Sequence, residues 1–220
     1  MLVLLKPRSS RTVHHYHEQD QGCKKCVNGS DEEAASSISL TVWRKSLVFS
    51  CKGFTVIASN GNLAYRVDNY SARPDQTILM DGSGNPIFTI RRRRKKLRIM
   101  GSYWLVYDGE VDKNSTSSSN KPICCVRKNM SIMKTKPSVL AYVYGSMSEK
   151  GSKYTIEGSY ARRSCKIMDE SRRVCSEIKK KKTLIGGASF GVEVFDLIVQ
   201  PGFDSRFAMA IVLLLDQMFS

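Results

Sequence analysis

The chain has 220 residues and a formal net charge of +15, from 35 Lys and Arg against 20 Asp and Glu. That length suits one domain plus an unstructured end rather than two large domains, and the surplus implies a polyanionic partner: nucleic acid, anionic lipid headgroups or acidic protein. Seven Cys at irregular spacing argue against a disulfide framework and for a reducing, intracellular compartment, and no apolar run is long enough to span a bilayer.

Residues 6–37 are polar and lack apolar periodicity, and residues 1–37 read as a disordered tail. The apolar run at residues 1–5 is too short for a signal peptide. Lys6, Arg8, Arg11, Lys24 and Lys25 balance Glu18, Asp20, Asp31, Glu32 and Glu33, so the whole positive excess lies further on. His14, His15 and His17 with Cys23 and Cys26 carry donor types that suit zinc, but their spacing fits no standard finger, and no metal or cofactor is assigned. The sequons at Asn28, Asn69, Asn114 and Asn129 would matter only in a secreted chain.

Beyond the tail the sequence turns to strands. Residues 49–67, 77–90, 103–106, 139–144, 154–156 and 192–199 are rich in Val, Ile, Thr, Tyr and Phe and are punctuated by turn residues. Cys124 and Cys125 fall in a further strand, where one would face the core and the other solvent, the latter open to palmitoylation. Residues 113–121 read as a flexible loop within the one domain of residues 38–220. Met80-Asp81-x-Ser83, followed by Ile90 and four Arg, recurs as Met168-Asp169-x-Ser171, Ile178 and four Lys, with a looser copy at Asn60-Gly61-Asn62. Each copy predicts strand, tight turn, strand.

Two of these hairpins end in four consecutive cations. A strand of period two cannot point all of them inward without burying unpaired charge, so the runs belong at rims or edges. Arg91, Arg92, Arg93, Arg94, Lys95, Lys96 and Arg98, with Lys179, Lys180, Lys181 and Lys182, are therefore the candidate anion-binding residues. On one face they would hold the domain at an anionic leaflet, at about 1 kcal/mol per cation.

Residues 207–215 are apolar without interruption, favour helix, and follow Asp204 as N-cap after the Pro201-Gly202 break. A helix with no polar face must be enclosed by protein or lipid, and about twelve residues reach only ~18 Å against ~30 Å of hydrocarbon. The expected architecture is mainly β: a closed antiparallel β-barrel around a buried hydrophobic C-terminal helix, with Phe207, Met209, Ile211, Leu213 and Leu214 in its core.

The ordered series Leu40-Thr-Val-Trp43, Ser46-Leu-Val-Phe49, Gly53-Phe54-Thr55-Val56, Tyr65-Arg66-Val67-Asp68-Asn69-Tyr70, Leu79-Met80-Asp81, Trp104-x-Val106-Tyr107-Asp108-Gly109 and Gln200-Pro201-Gly202-Phe203-Asp204 closely resembles the plant LURP-one-related family over residues 38–218. The resemblance implies the tubby C-terminal and phospholipid-scramblase fold, a barrel of about twelve strands threaded by a helix. It also implies an association with plant pathogen responses, a membrane-tethered regulatory role and no enzymatic activity. Three departures from the family pattern are the His- and Cys-bearing tail, the turn at 169–173, which lacks the expected Gly and predicts a distorted turn or bulge, and the strongly basic run Arg91–Lys96.

All three His lie in the tail, and no P-loop, HExxH or GxSxG occurs, so catalysis is not expected. The leading reading is a non-enzymatic regulatory adaptor, cytoplasmic or nuclear, that binds anionic phospholipid as a peripheral membrane protein through its basic rims. A nuclear DNA-associated regulator and a scaffold for a protein partner stay open as alternatives. Trp104, alternating with Leu105 and Val106, reads as core rather than as a base-stacking residue.

Overall fold

A computed structural model describes residues 36–49, 51–69, 75–94, 102–111, 121–130, 139–182 and 190–220. Twelve strands follow one another: β1 (Ile38–Trp43), β2 (Lys52–Ala58), β3 (Leu63–Asn69), β4 (Gln76–Asp81), β5 (Pro86–Arg94) and β6 (Ser102–Asp108). The second half continues with β7 (Cys124–Lys128), β8 (Val139–Tyr144), β9 (Tyr154–Ser159), β10 (Ser164–Asp169), β11 (Val174–Lys180) and β12 (Val194–Val199). Each pairs antiparallel with its predecessor, and β12 pairs with β1 from Ile38↔Val199 to Trp43↔Val194, closing the barrel. Alternation shows in β12, where Phe195, Leu197 and Val199 are fully buried while Val194, Asp196 and Ile198 are half-buried.

The helix α1 (Ser205–Phe219) fills the barrel. Its eight residues from Ala208 to Leu215 are all buried, as is Met218, so no azimuth of its middle meets water. Met209, Ile211, Leu213 and Leu214 lie in the core as expected, and Phe207 packs half-buried against Phe203 and Tyr154. Fifteen residues make about 22 Å of helix. Among the described residues no helix is long and apolar enough to cross a membrane.

Both helix ends are tied to the wall. The Asp204 carboxylate accepts from the Arg206 amide at 2.8 Å, an N-cap in extended backbone, and the Tyr65 and Ser205 hydroxyls meet at 2.8 Å. At the other end Lys128 Nζ donates to the Met218 carbonyl at 2.9 Å, placing a cation on the negative end of the helix dipole. Gln217 bridges Trp104 Nε1 and Thr77 Oγ1, each at 2.8 Å. Trp104 is 2% exposed and belongs to the core.

The repeated turn motif is one structure built three times. The amides of Ala58, Asp81 and Asp169 donate to the carbonyls of Asn62, Asn85 and Arg173, and those of Gly61, Gly84 and Arg172 return to the carbonyls of Ala58, Asp81 and Asp169. The fourth residue is left-handed each time, with φ of 84°, 95° and 63°. Glycine adopts that conformation freely; Arg172 does so at a cost of about 1 kcal/mol or more, which is the distortion expected at 169–173. Register shifts accompany all three hairpins.

Two expectations are corrected. Cys125 does not face solvent: a second apolar cluster of Leu105, Tyr107 and Val111, flanked by Tyr103 and Tyr144, covers it on the outer face of the sheet. Cys124 points into the barrel, 4% exposed, where desolvation pushes its thiol up to about 12. Neither thiol of the pair is available for acylation. The strand expected from residue 49 begins instead at Lys52, leaving Phe49 in a turn and 95% exposed. The candidate zinc residues of the tail and residues 113–120 of the expected flexible loop lie outside the described residues.

Candidate functional site

Topology brings the two basic runs to the same place. In an up-and-down barrel every second strand runs the same way, so β5 and β11 both start at the end holding the three tight turns and finish at the opposite end. They stand six strands apart in a ring of twelve, facing each other across that second mouth, where α1 also finishes. Lys95, Lys96 and Arg98 lie outside the described residues.

The described cations differ in how free they are. Arg91 is half-buried on the outer face, stacked 5.6 Å from the Tyr107 ring and donating to the Val111 carbonyl. Arg92 shares the inner face with Ile90, lies 5.5 Å from the Trp104 ring and contacts the Ser102 hydroxyl at 3.2 Å. Both serve the wall. Lys179 pairs with Glu177 at 2.6 Å, and Lys181 with Asp196 at 2.7 Å and the Thr41 hydroxyl at 2.8 Å. Arg93, Arg94, Lys180 and Lys182 are exposed and make no ion pair among the described residues. They are the cations of the two runs best placed to meet an outside anion.

The same mouth carries cations that the sequence reading passed over. Arg44, Lys45 and Lys52 border a depression of about 490 Å³ between the β1–β2 connection and the end of the helix, lined also by Phe54, Glu193 and Asp216. Arg44 Nε holds Asp216 at 2.8 Å and its Nη1 reaches Glu193 at 3.4 Å, so one guanidinium is shared between the two acids. Tyr160 donates its hydroxyl to Asp216 at 3.1 Å; burial first, and the neighbouring carboxylate second, push its phenol well above the ordinary tyrosine range. Arg163 is 4% exposed, with its guanidinium 4.1 and 4.5 Å from the rings of Tyr160 and Phe195 and Nε donating to the Val192 carbonyl at 2.7 Å. It fastens the β9–β10 turn to the approach of β12. Lys45 and Lys52 are left exposed, Lys45 over the Trp43 ring at 5.3 Å.

At the opposite mouth a smaller depression of about 300 Å³ is walled by Phe88, Tyr144, Tyr154, Phe203 and Phe207, with Lys153 and Asp204 at its edge. Acidic and basic residues mix there: Asp81, Asp108, Glu149, Asp169, Glu170 and Asp204 stand with Lys150, Lys153, Arg172, Arg173 and Arg206. The imbalance of charge therefore belongs to the other mouth. Among the described residues no group of three or more His, Cys, Asp or Glu is arranged to hold a metal.

A closed twelve-stranded antiparallel barrel with an apolar helix for its core and one cationic mouth is the class of domain these features define. The family model described as LURP-one-related matches residues 38–216, and the chain belongs to that family. It is 45% identical to Protein LURP-one-related 17 of Arabidopsis thaliana over 224 residues, covering all of both chains. With Protein LURP-one-related 8 of the same plant it shares 47% identity over 190 residues, 85% of this chain and 90% of that one. A crystal structure of a further Arabidopsis thaliana protein superposes with a TM-score of 0.56 at 24% identity, over 82% of this chain and 90% of that chain, and shares the fold.

Proposed function

We propose that this barrel is a non-enzymatic regulatory adaptor that binds anionic phospholipid through the mouth where β5 and β11 end, its setting being the plant defence response with which its family is associated. The observation that carries the reading is the convergence of two separate basic runs on one end, with Arg93, Arg94, Lys180 and Lys182 exposed there. Cations gathered at one end bind a charged plane additively, whereas the same charges spread over a sphere would not. A catalytic imidazole has no source within the barrel, because the three His all precede residue 18. Single-stranded nucleic acid wants exposed aromatics among its cations, and Trp104 and Tyr107, the aromatics against which Arg92 and Arg91 of the first run lie, are buried.

Co-sedimentation with phosphatidylcholine vesicles, with and without a phosphoinositide, tests the proposal. Binding should require the anionic lipid and fall steeply with salt. Replacing Arg93, Arg94, Lys180 and Lys182 together by Gln should weaken it at least about a hundredfold, at roughly 1 kcal/mol per cation. Unchanged binding would remove the site.

A further inference from the structure

Resting on the lipid reading just given, we infer that the β1–β2 connection is a membrane-inserting tip: Leu47 and Phe49 enter the boundary between headgroups and acyl chains, and Lys45 and Lys52 meet the headgroups beside them. Leu47 is 58% and Phe49 95% exposed. A flexible loop would relieve such exposure by folding its apolar side chains back. This one is prevented from doing so.

Its base is clamped. Ser46, 6% exposed, donates its hydroxyl to the Asp68 carboxylate on β3 and accepts the Val48 amide at 2.9 Å. Asp68 is held from its other side by Arg66 Nε at 2.8 Å. Thr55 on β2 donates to the Lys45 carbonyl at 2.7 Å, the Arg44 amide to the Glu193 carbonyl at 2.8 Å, and the Cys51 amide to the Val48 carbonyl at 3.2 Å. Gly53 makes room for this: a Cβ there would stand 1.8 Å from the Val67 carbonyl oxygen and 3.2 Å from Ser46 Cβ. A buried hydrogen-bond network thus holds two large apolar side chains out in water, and the ordering cost of presenting them is met before any partner arrives.

The surroundings select the partner. Six of the nine large apolar side chains exposed among the described residues, Trp43, Leu47, Phe49, Met130, Phe190 and Val192, lie at or beside connections of this cationic mouth. Apolar projections borne on separate connections and interleaved with Lys and Arg match a bilayer surface, which is apolar a few ångströms below a layer of negative charge. The occupant proposed is therefore an anionic bilayer, taken end-on.

The test uses the full chain with Phe49→Ala, Leu47→Ala and the double substitution, against vesicles of phosphatidylcholine with phosphatidylserine and phosphoinositide. Both side chains are exposed, so thermal midpoints should match the parent. Each substitution should weaken binding about tenfold or more, and the loss should persist at high salt, where the cationic contribution is screened. A Phe49→Trp, Trp43→Phe variant should shift its emission to the blue on vesicle addition and be quenched by lipids brominated high on the chain. If the parent does not bind these vesicles, the lipid reading falls and this inference with it. If it binds in a salt-sensitive way while Phe49→Ala and Leu47→Ala bind equally well, insertion alone is overturned, and the tip is left to a protein partner.

Discussion

A helix buried on every side makes an unusual mutational demand. Successive residues advance by 100°, so Met209, Ile211, Val212 and Leu214 point in four well-separated directions, and all four are fully buried. In an amphipathic helix at least one would be cheap to truncate. Here each faces a strand wall that is hydrogen-bonded into a closed ring and cannot collapse inward far enough to fill a void. Met209→Ala, Ile211→Ala and Leu214→Ala should therefore cost toward the upper part of the 2–5 kcal/mol range for such deletions, and Val212→Ala somewhat less. At about 2–4 °C per kcal/mol for a domain of this size, midpoints should drop by roughly 7–20 °C. Urea unfolding followed by far-UV circular dichroism and by the fluorescence of Trp104, which is bonded to the helix through Gln217, measures each value. Leu213→Lys, leaving a cation in that lumen, should yield insoluble protein. A 3.6-residue rhythm of large and negligible effects, or soluble and cooperatively melting Leu213→Lys, would refute an enclosed helix.

Arg172→Gly should stabilise the chain by about 0.5–1 kcal/mol, because relief of a left-handed side chain exceeds the loss of an exposed ion pair with Glu157; calorimetry of the two proteins reads the difference. Asp204 is pushed up by partial burial but held lower overall by hydrogen bonds from the Arg206 side chain and amide, so its ionised form is favoured on folding. Its contribution, about 1 kcal/mol as an N-cap, is present at neutral pH and is lost as pH falls through the depressed carboxylate pKa. The stability gap between parent and Asp204→Ala should accordingly narrow on acidification below about pH 4, and a gap that widened would contradict the assignment. Burial raises Cys165 to about 11 and Cys124 to about 12, leaving less than about one thiolate in a thousand at pH 8. Iodoacetamide followed by mass mapping should modify these two only in unfolding urea, while the partly exposed Cys51 reacts in the native protein.

The features legible in the sequence were those with a local cause. Unbroken apolarity over residues 207–215, too short for a bilayer, required an enclosing sheet, and closure of that sheet follows from having no other way to surround a helix. The turn at 169–173 announced its strain because two sister turns place Gly61 and Gly84 where it has Arg172. The basic runs were legible as rim residues, but that both share one mouth depends on strand parity, which needs the full strand count. What escaped was decided by long-range packing. Cys125 is covered by Val111 and Tyr107 from a neighbouring strand and the segment after it, which no alternation pattern reveals. Residue 49 looks like the start of a strand on β propensity alone; the Ser46–Asp68 contact, spanning 22 residues, instead ties the connection before β2 into a turn that leaves Phe49 outside. Arg163 carries no sign in sequence that its charge will lie between two rings.

Chain order sets a timetable for assembly. The segment that occupies the lumen is translated after every stave, and the seam that shuts the ring joins residues about 160 positions apart. A nascent polypeptide still awaiting residue 205 has inner faces such as Val56, Ile90 and Ile167 with nothing to cover them. Productive maturation must therefore wait until the helix itself has emerged from the ribosome, and premature stop codons anywhere upstream of it should yield aggregates rather than smaller stable domains.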